Sequence, residues 1–231
     1  KTEVLRLRET KHPVLLEVNI RVLLSELSAA SGSTVTLGDV PEEILDEWSA
    51  LGIDAVWLMG VWTTGELGRQ LALDHPGMMD EYRKALPDVT PEDVVGSPYA
   101  VQEYRVATPL GGGHALRSLR MRLARRGIGL ILDYVCNHTA QDHKWVRQHP
   151  EYYINTEATA GAPPMQDAFA VTTSQGERWI AHGRDPMFPK WTDTAQLNPR
   201  SKAAREAMIA QLTKVAGMCD GVRCDMAMLL L

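Results

Sequence analysis

The sequence predicts an α/β protein of the (β/α)8 TIM-barrel type, holding only strands one to four of the barrel, with a long loop region after strand three. Three observations predict it. Near-continuous apolar strands alternate with amphipathic helices, the pattern of a parallel sheet covered by helices. The later strands end in charge or polarity, as in Leu130-Ile-Leu-Asp133 and Gly221-Val-Arg223-Cys-Asp225, and barrels carry reacting groups at the carboxyl ends of several strands. No glycine-rich turn follows the first strand, where Asn19-Ile-Arg-Val stands. That omission disfavours an open dinucleotide-binding sheet.

The elements follow in order. Leu15–Val22 reads as the first strand. A helix spans Pro41–Ala50, with Asp39 or Val40 at its cap, Pro41 in its first turn and Gly52 just past its end. Ile53–Met59 is the second strand. The connection from Gly60 to Gly112 holds short helices at Gly65–Leu73 and Met78–Ala85. Leu116, Leu119 and Leu123 line one face of a helix over Gly113–Arg126, closed by Gly127. Gly111-Gly-Gly113 lacks phosphate-loop spacing after a strand and reads as the entry to that helix. Gly129–Val135 is the third strand and Gly221–Cys224 the fourth. Between them, residues 139–198 form a long loop insertion and Arg200–Ala216 a helix opened by Asn198-Pro199 and closed by Gly217. Residues 1–231 therefore read as one partial barrel domain with two unpaired sheet edges.

Composition narrows the function. A formal net charge of -5 disfavours a general nucleic-acid grip. The basic run Arg117–Arg126 has apolar residues at helical spacing and reads as a solvated helix face. No apolar stretch is long enough to span a bilayer. The start, Lys1-Thr-Glu-Val4, is neither a methionine start nor a signal peptide. Cys136, Cys219 and Cys224 are odd in number and lie in or beside strands, so no disulfide framework is expected and a cytoplasmic location is. Cys136 fits small apolar packing better than a nucleophile.

Arg223 and Asp225 share one strand face, because side chains alternate along a strand. Asp133, Val135 and Asn137 share another if their strand stays regular. A buried carboxylate is costly unless it is paired or hydrogen-bonded. Two carboxylates and an arginine at strand ends therefore point to a charged site.

Asp133-Tyr-Val-Cys-Asn137-His138 resembles the first signature of the alpha-amylase family, glycoside hydrolase family 13, which reads Asp-x-Val-x-Asn-His. Gly221-Val-Arg223-Cys-Asp225 resembles its second, Gly-x-Arg-x-Asp. Pro98-Tyr99-Ala-Val-Gln-Glu103-Tyr104 resembles the segment after strand two that carries a sugar-stacking tyrosine. The order and spacing also match. The resemblance implies that Asp225 is the nucleophile, that Arg223 orients it and keeps it ionised, and that Asp133 holds Arg223. It implies that His138 donates a hydrogen bond to the sugar and that Tyr99 lies beneath the same ring. Asn137 matches a position that binds calcium in many members; no other cofactor is implied. Substrates would be oligosaccharides or α-glucosides.

The sequence also departs from the family. Where many members carry Lys and His three and four residues after the nucleophile, Met228 and Leu229 stand here. The family's general acid follows strand five, which the four-strand reading does not reach. Retaining glycosidases need two carboxyl groups about 5–5.5 Å apart. The sequence thus predicts a retaining α-glycosidase or transglycosylase parent and an inactive 231-residue chain. The alternative is a non-catalytic carbohydrate-binding or interaction module on the same scaffold, since fold does not fix function.

Overall fold

A computed structural model describes residues 12–161 and 163–230. The Lys1–Val4 start lies outside the described residues. In chain order the elements are β1 (Leu15–Asn19), α1 (Ile20–Ser31), α2 (Glu42–Ala50), β2 (Ala55–Met59), β3 (Trp62–Thr64), α3 (Glu66–Asp74) and α4 (Met78–Ala85). Then come β4 (Val101–Val106), α5 (Gly112–Arg125), β5 (Gly129–Val135), β6 (His138–Ala140), α6 (Lys144–Gln148) and β7 (Asn155–Glu157). Last are β8 (Ala168–Thr173), β9 (Gly176–Ala181), β10 (Thr194–Gln196), α7 (Lys202–Ala216) and β11 (Gly221–Asp225). The chain divides into two compact units. One takes the chain up to Thr63, Tyr104–Tyr134 and Ala210–Asp225; the other takes Thr64–Glu103, Val135–Ile209 and Met226–Leu231.

The first unit contains a four-stranded parallel sheet in the order β1-β2-β5-β11, and no closed barrel forms among the described residues. Leu15 pairs with Ala55 and Ala55 with Gly129, so Glu17, Trp57 and Ile131 stand in register on one face. Val56, Leu58, Leu130 and Leu132 are fully buried on the other face. Helix α5 brings a stripe of Ala115, Leu116, Leu119 and Leu123 to the core. The face carrying Glu17 is open along β1, where Leu15 is 52% exposed. The sheet is therefore more deeply buried on one face than on the other.

Two expectations are corrected in this unit. The strand expected over Leu15–Val22 stops at Asn19, and a helix of 12 residues follows. Ile20 and Val22 favour strand, but Arg21, Leu23 and Leu24 are good helix formers, and Asn19 caps the helix, its side chain accepting from Val22 N at 3.3 Å. The basic face of α5 is not simply solvated. Arg122 Nε donates to Glu42 Oε1 at 2.6 Å, and its Nη2 donates to the Val40 carbonyl. Arg126 Nη2 lies 2.6 Å from Asp46 Oδ1, so arginines flanking the leucine stripe clamp α5 to α2. Gly111, at φ 90, opens α5 where a Cβ would sit 2.6 Å from the Ala115 Cβ.

In the second unit, the segment expected as a long loop carries ordered elements. β7, β9 and β8 form an antiparallel sheet in that order, and β6 pairs with β10 so that His138 faces Gln196. Short strands with little burial leave a weak period-2 signal. Helices α3 and α4 stand within a residue of their expected bounds. Helix α7 starts at Lys202 rather than Arg200, because Ser201 Oγ accepts from Ala204 N at 3.3 Å and acts as its cap.

Candidate active site

Parallel strands β5 and β11 place Asp133 and Asp225 at their carboxyl ends, on the face where Trp57 stands. Asp133 is 3% exposed and Asp225 is 6% exposed. Arg223 Nη1 donates to both: 3.2 Å to Asp133 Oδ1 and 2.5 Å to Asp225 Oδ1. The expected grouping of Asp133, Arg223 and Asp225 is thus present in space. One guanidinium nitrogen shared by two carboxylates neutralises charge that burial would otherwise expel.

The electrostatics follow from that geometry. Burial pushes the Asp133 carboxyl up to about 6; the Trp57 indole and Arg223 pull it down, and the Asp225 charge adds to the rise. Asp225 is also raised by burial, with Arg223 opposing. Desolvation outweighs the cation in both groups, so each carboxylate is a stronger base than an exposed one.

Two features that sequence reasoning missed support these groups. Trp62 Nε1 donates to the Asp133 carbonyl at 2.8 Å, pinning the backbone of β5. The Trp62 ring meets Tyr104 edge-on at 5.5 Å, and Tyr104 stacks on Tyr134 at 5.2 Å. The Trp57 ring lies under Arg223, with Cζ 4.7 Å from the ring centroid. A tryptophan in a β-strand reads as core filler; only its place in the sheet register exposes the arginine contact.

Asp220 fixes the start of β11. Arg120 Nη2 donates to its Oδ1 at 2.6 Å, and Leu130 N donates to its Oδ2 at 3.0 Å. The Asp220 amide in turn donates to the Leu130 carbonyl at 2.8 Å. The relative register of β5 and β11, and with it the meeting of Asp133 with Arg223, depends on this junction.

The other expected residues gather in the second unit. Asn137 and Gln196 form an amide pair, with Gln196 Nε2 donating to Asn137 Oδ1 at 2.9 Å. Asn137 Nδ2 approaches His138 Nδ1 at 3.3 Å, and the His138 ring also bonds the Tyr99 backbone. The Trp191 ring packs on His138 at 5.0 Å. Burial pushes the His138 imidazole down to about 4, so it is neutral at ordinary pH. Tyr99 lies in the turn before β4, its amide donating to Ser97 Oγ at 3.2 Å. Calcium needs about six to eight oxygen ligands. Asn137 Oδ1 is engaged by Gln196, and no three His, Cys, Asp or Glu side chains converge on a metal position among the described residues.

The family model of the alpha-amylase catalytic domain matches residues 40–229. The chain belongs to the alpha-amylase family. No curated protein matches it. Among solved structures, this alpha-amylase-family chain is similar to an alpha-amylase from Lactobacillus plantarum, at 22% identity and a TM-score of 0.60, over 93% of this chain and 38% of that one. It is similar to the maltogenic alpha-amylase AmyB from Thermotoga neapolitana, at 21% identity and a TM-score of 0.56, over 93% of this chain and 39% of that one. A MutB variant in complex with isomaltulose is similar at 17% identity and a TM-score of 0.59, over 92% of this chain and 34% of that one. At these identities the likeness carries the fold alone. The chain spans less than two fifths of the length of each of these three proteins.

Proposed function

We propose that the protein containing this chain is a retaining α-glycosidase or transglycosylase acting on α-glucosides or α-glucans, with Asp225 as its nucleophile. One observation carries the reading: Arg223 Nη1 bonds Asp225 and Asp133 together at the ends of adjacent strands. Asp225 attacks the anomeric carbon, the bond to the leaving oxygen breaks, and a covalent glycosyl-enzyme forms. The leaving oxygen takes a proton from a general acid. Water or an acceptor hydroxyl, giving its proton back to that now-deprotonated acid, then displaces Asp225 and restores its carboxylate. Hydrolysis and transfer share that intermediate.

Arg223 opposes the upward pull of burial on the Asp225 carboxyl and so favours its ionised form. Asp133 is spoken for by the same cation, so its role is to fix Arg223 rather than to protonate the leaving oxygen. The general acid is assigned to no residue of this chain, and the 231 residues alone are read as inactive. His138 and Tyr99 are assigned to the sugar beside the scissile bond. Cys219 and Cys224 stand as thiols, and the reading keeps the protein in a reducing compartment such as the cytoplasm.

The test uses the intact protein and a slow α-glucosyl fluoride substrate that traps the intermediate. The expected result is a mass increase on the peptide holding Asp225, absent in Asp225→Asn, with turnover abolished in that variant. A label on another carboxylate, or turnover surviving in Asp225→Asn, would remove the nucleophile assignment. Binding of oligosaccharide without label or turnover would favour a carbohydrate-binding module instead.

A further inference from the structure

The Arg223 side chain is 37% exposed, whereas the side chains of Asp133 and Asp225, which it serves, are only 4% and 8% exposed. An arginine open to water loses entropy when held in one geometry, and exposed ion pairs are weak for that reason. Something must restrain the guanidinium if Nη1 is to face both acids.

Trp57 supplies the restraint. It stands on β2, and Arg223 on β11, with β5 between them. Strands lie about 4.8 Å apart, so both side chains lean over β5 to meet. On β5, Ile131 is in register with Trp57. The ring centroid is then 4.7 Å from Arg223 Cζ. Guanidinium over an indole face is an attractive cation–π arrangement. The buried Trp57 Nε1 meets no partner at full hydrogen-bond geometry, but it lies close enough to Asp133 to favour that carboxylate, so the indole borders both members of the pair.

We propose that Trp57 is a positioning residue for the charged site, its ring face holding the Arg223 guanidinium so that Nη1 meets Asp133 and Asp225 together. This deepens the reading of Asp225 as nucleophile. The test needs no turnover, so the two can fail separately.

The measurement is the rotation rate of the Arg223 guanidinium by nitrogen-15 NMR on the intact protein, in the wild type, Trp57→Phe and Trp57→Leu. A ring held for its face predicts a Trp57→Phe rate close to the wild type and a Trp57→Leu rate faster by on the order of tenfold. If Trp57→Leu keeps the wild-type rate, Trp57 is packing and the proposal falls. It falls equally if Trp57→Phe rotates as fast as Trp57→Leu. Should Trp57→Leu fail to fold, Trp57→Met replaces it under the same criteria.

Discussion

Arg120 and Asp220 form a buried ion pair that also serves as a strand junction. Arg120 Nη2 donates to Asp220 Oδ1 at 2.6 Å while Leu130 N donates to Asp220 Oδ2 at 3.0 Å. The Asp220 side chain is 2% exposed. A single carboxylate thereby couples α5, β5 and β11, the elements that bring Asp133 to Arg223.

Removing one partner of a buried pair leaves the other charge uncompensated. Asp220→Ala is expected to lower stability by about 3–5 kcal/mol, read as a shift of the urea midpoint. The same variant should weaken the Asp133–Arg223 contact, because the β5–β11 register loses its tie. A midpoint within about 0.5 kcal/mol of wild type, the range of ordinary surface changes, would show that the junction carries no load.

Arg223→Gln removes the cation shared by the two carboxylates. Burial then acts with less opposition, so Asp133 should titrate above the wild-type value of about 6. Carbon-13 NMR of the Asp133 carboxyl follows this directly. A downward move would mean that water entering the site outweighs the lost charge.

His138 sets a pH dependence of known sign. An unfolded imidazole titrates near 6.5, whereas the buried ring titrates at about 4. Between these values the unfolded chain binds a proton that the folded ring does not. Stability should therefore fall as pH drops from 6.5 to 4 and level off below. His143, also held at about 4 by burial, acts in the same direction. Asp133 acts oppositely: its raised value favours the folded state at low pH, and that contribution is lost as pH rises from about 4 to about 6. Since the two imidazoles lie in the second unit, protection there should drop first on acidification. Residue-resolved hydrogen exchange at pH 6.5 and 4.5 checks it. Equal loss in the β5 core would contradict the assignment.

Gly111 is needed for two reasons at once. Its φ of 90 disfavours any side chain, and a Cβ there would lie 2.6 Å from the Ala115 Cβ and 2.9 Å from the Thr36 Cβ. Gly111→Ala should cost about 2–4 kcal/mol, combining left-handed strain with overpacking. Thermal unfolding measures the loss. Gly112→Ala meets nothing within 4 Å at its φ of 66, so only the strain of about 1–2 kcal/mol is expected there.

By itself the sequence determined the repeated strand and helix order of the first unit, because apolar runs and leucine spacing are local signals. The bounds of β5 are those read from Gly129–Val135, and helix α4 likewise spans Met78–Ala85. The meeting of Asp133 with Arg223 and Asp225 was also legible, since the motifs holding them are short and ordered along the chain. Only the tertiary structure decided the rest. Ile20–Ser31 became a helix because Asn19 caps it and Ile20 and Leu24 bury one helical face. Residues 139–198 became an antiparallel unit because strands of three to six residues pair there, β6 with β10 and β7 with β9 across separations that no local pattern records. Trp57 could be tied to Arg223 only once β2, β5 and β11 lay side by side. A side chain's periodicity says which face it occupies, but its partner is set by the register between strands distant in sequence.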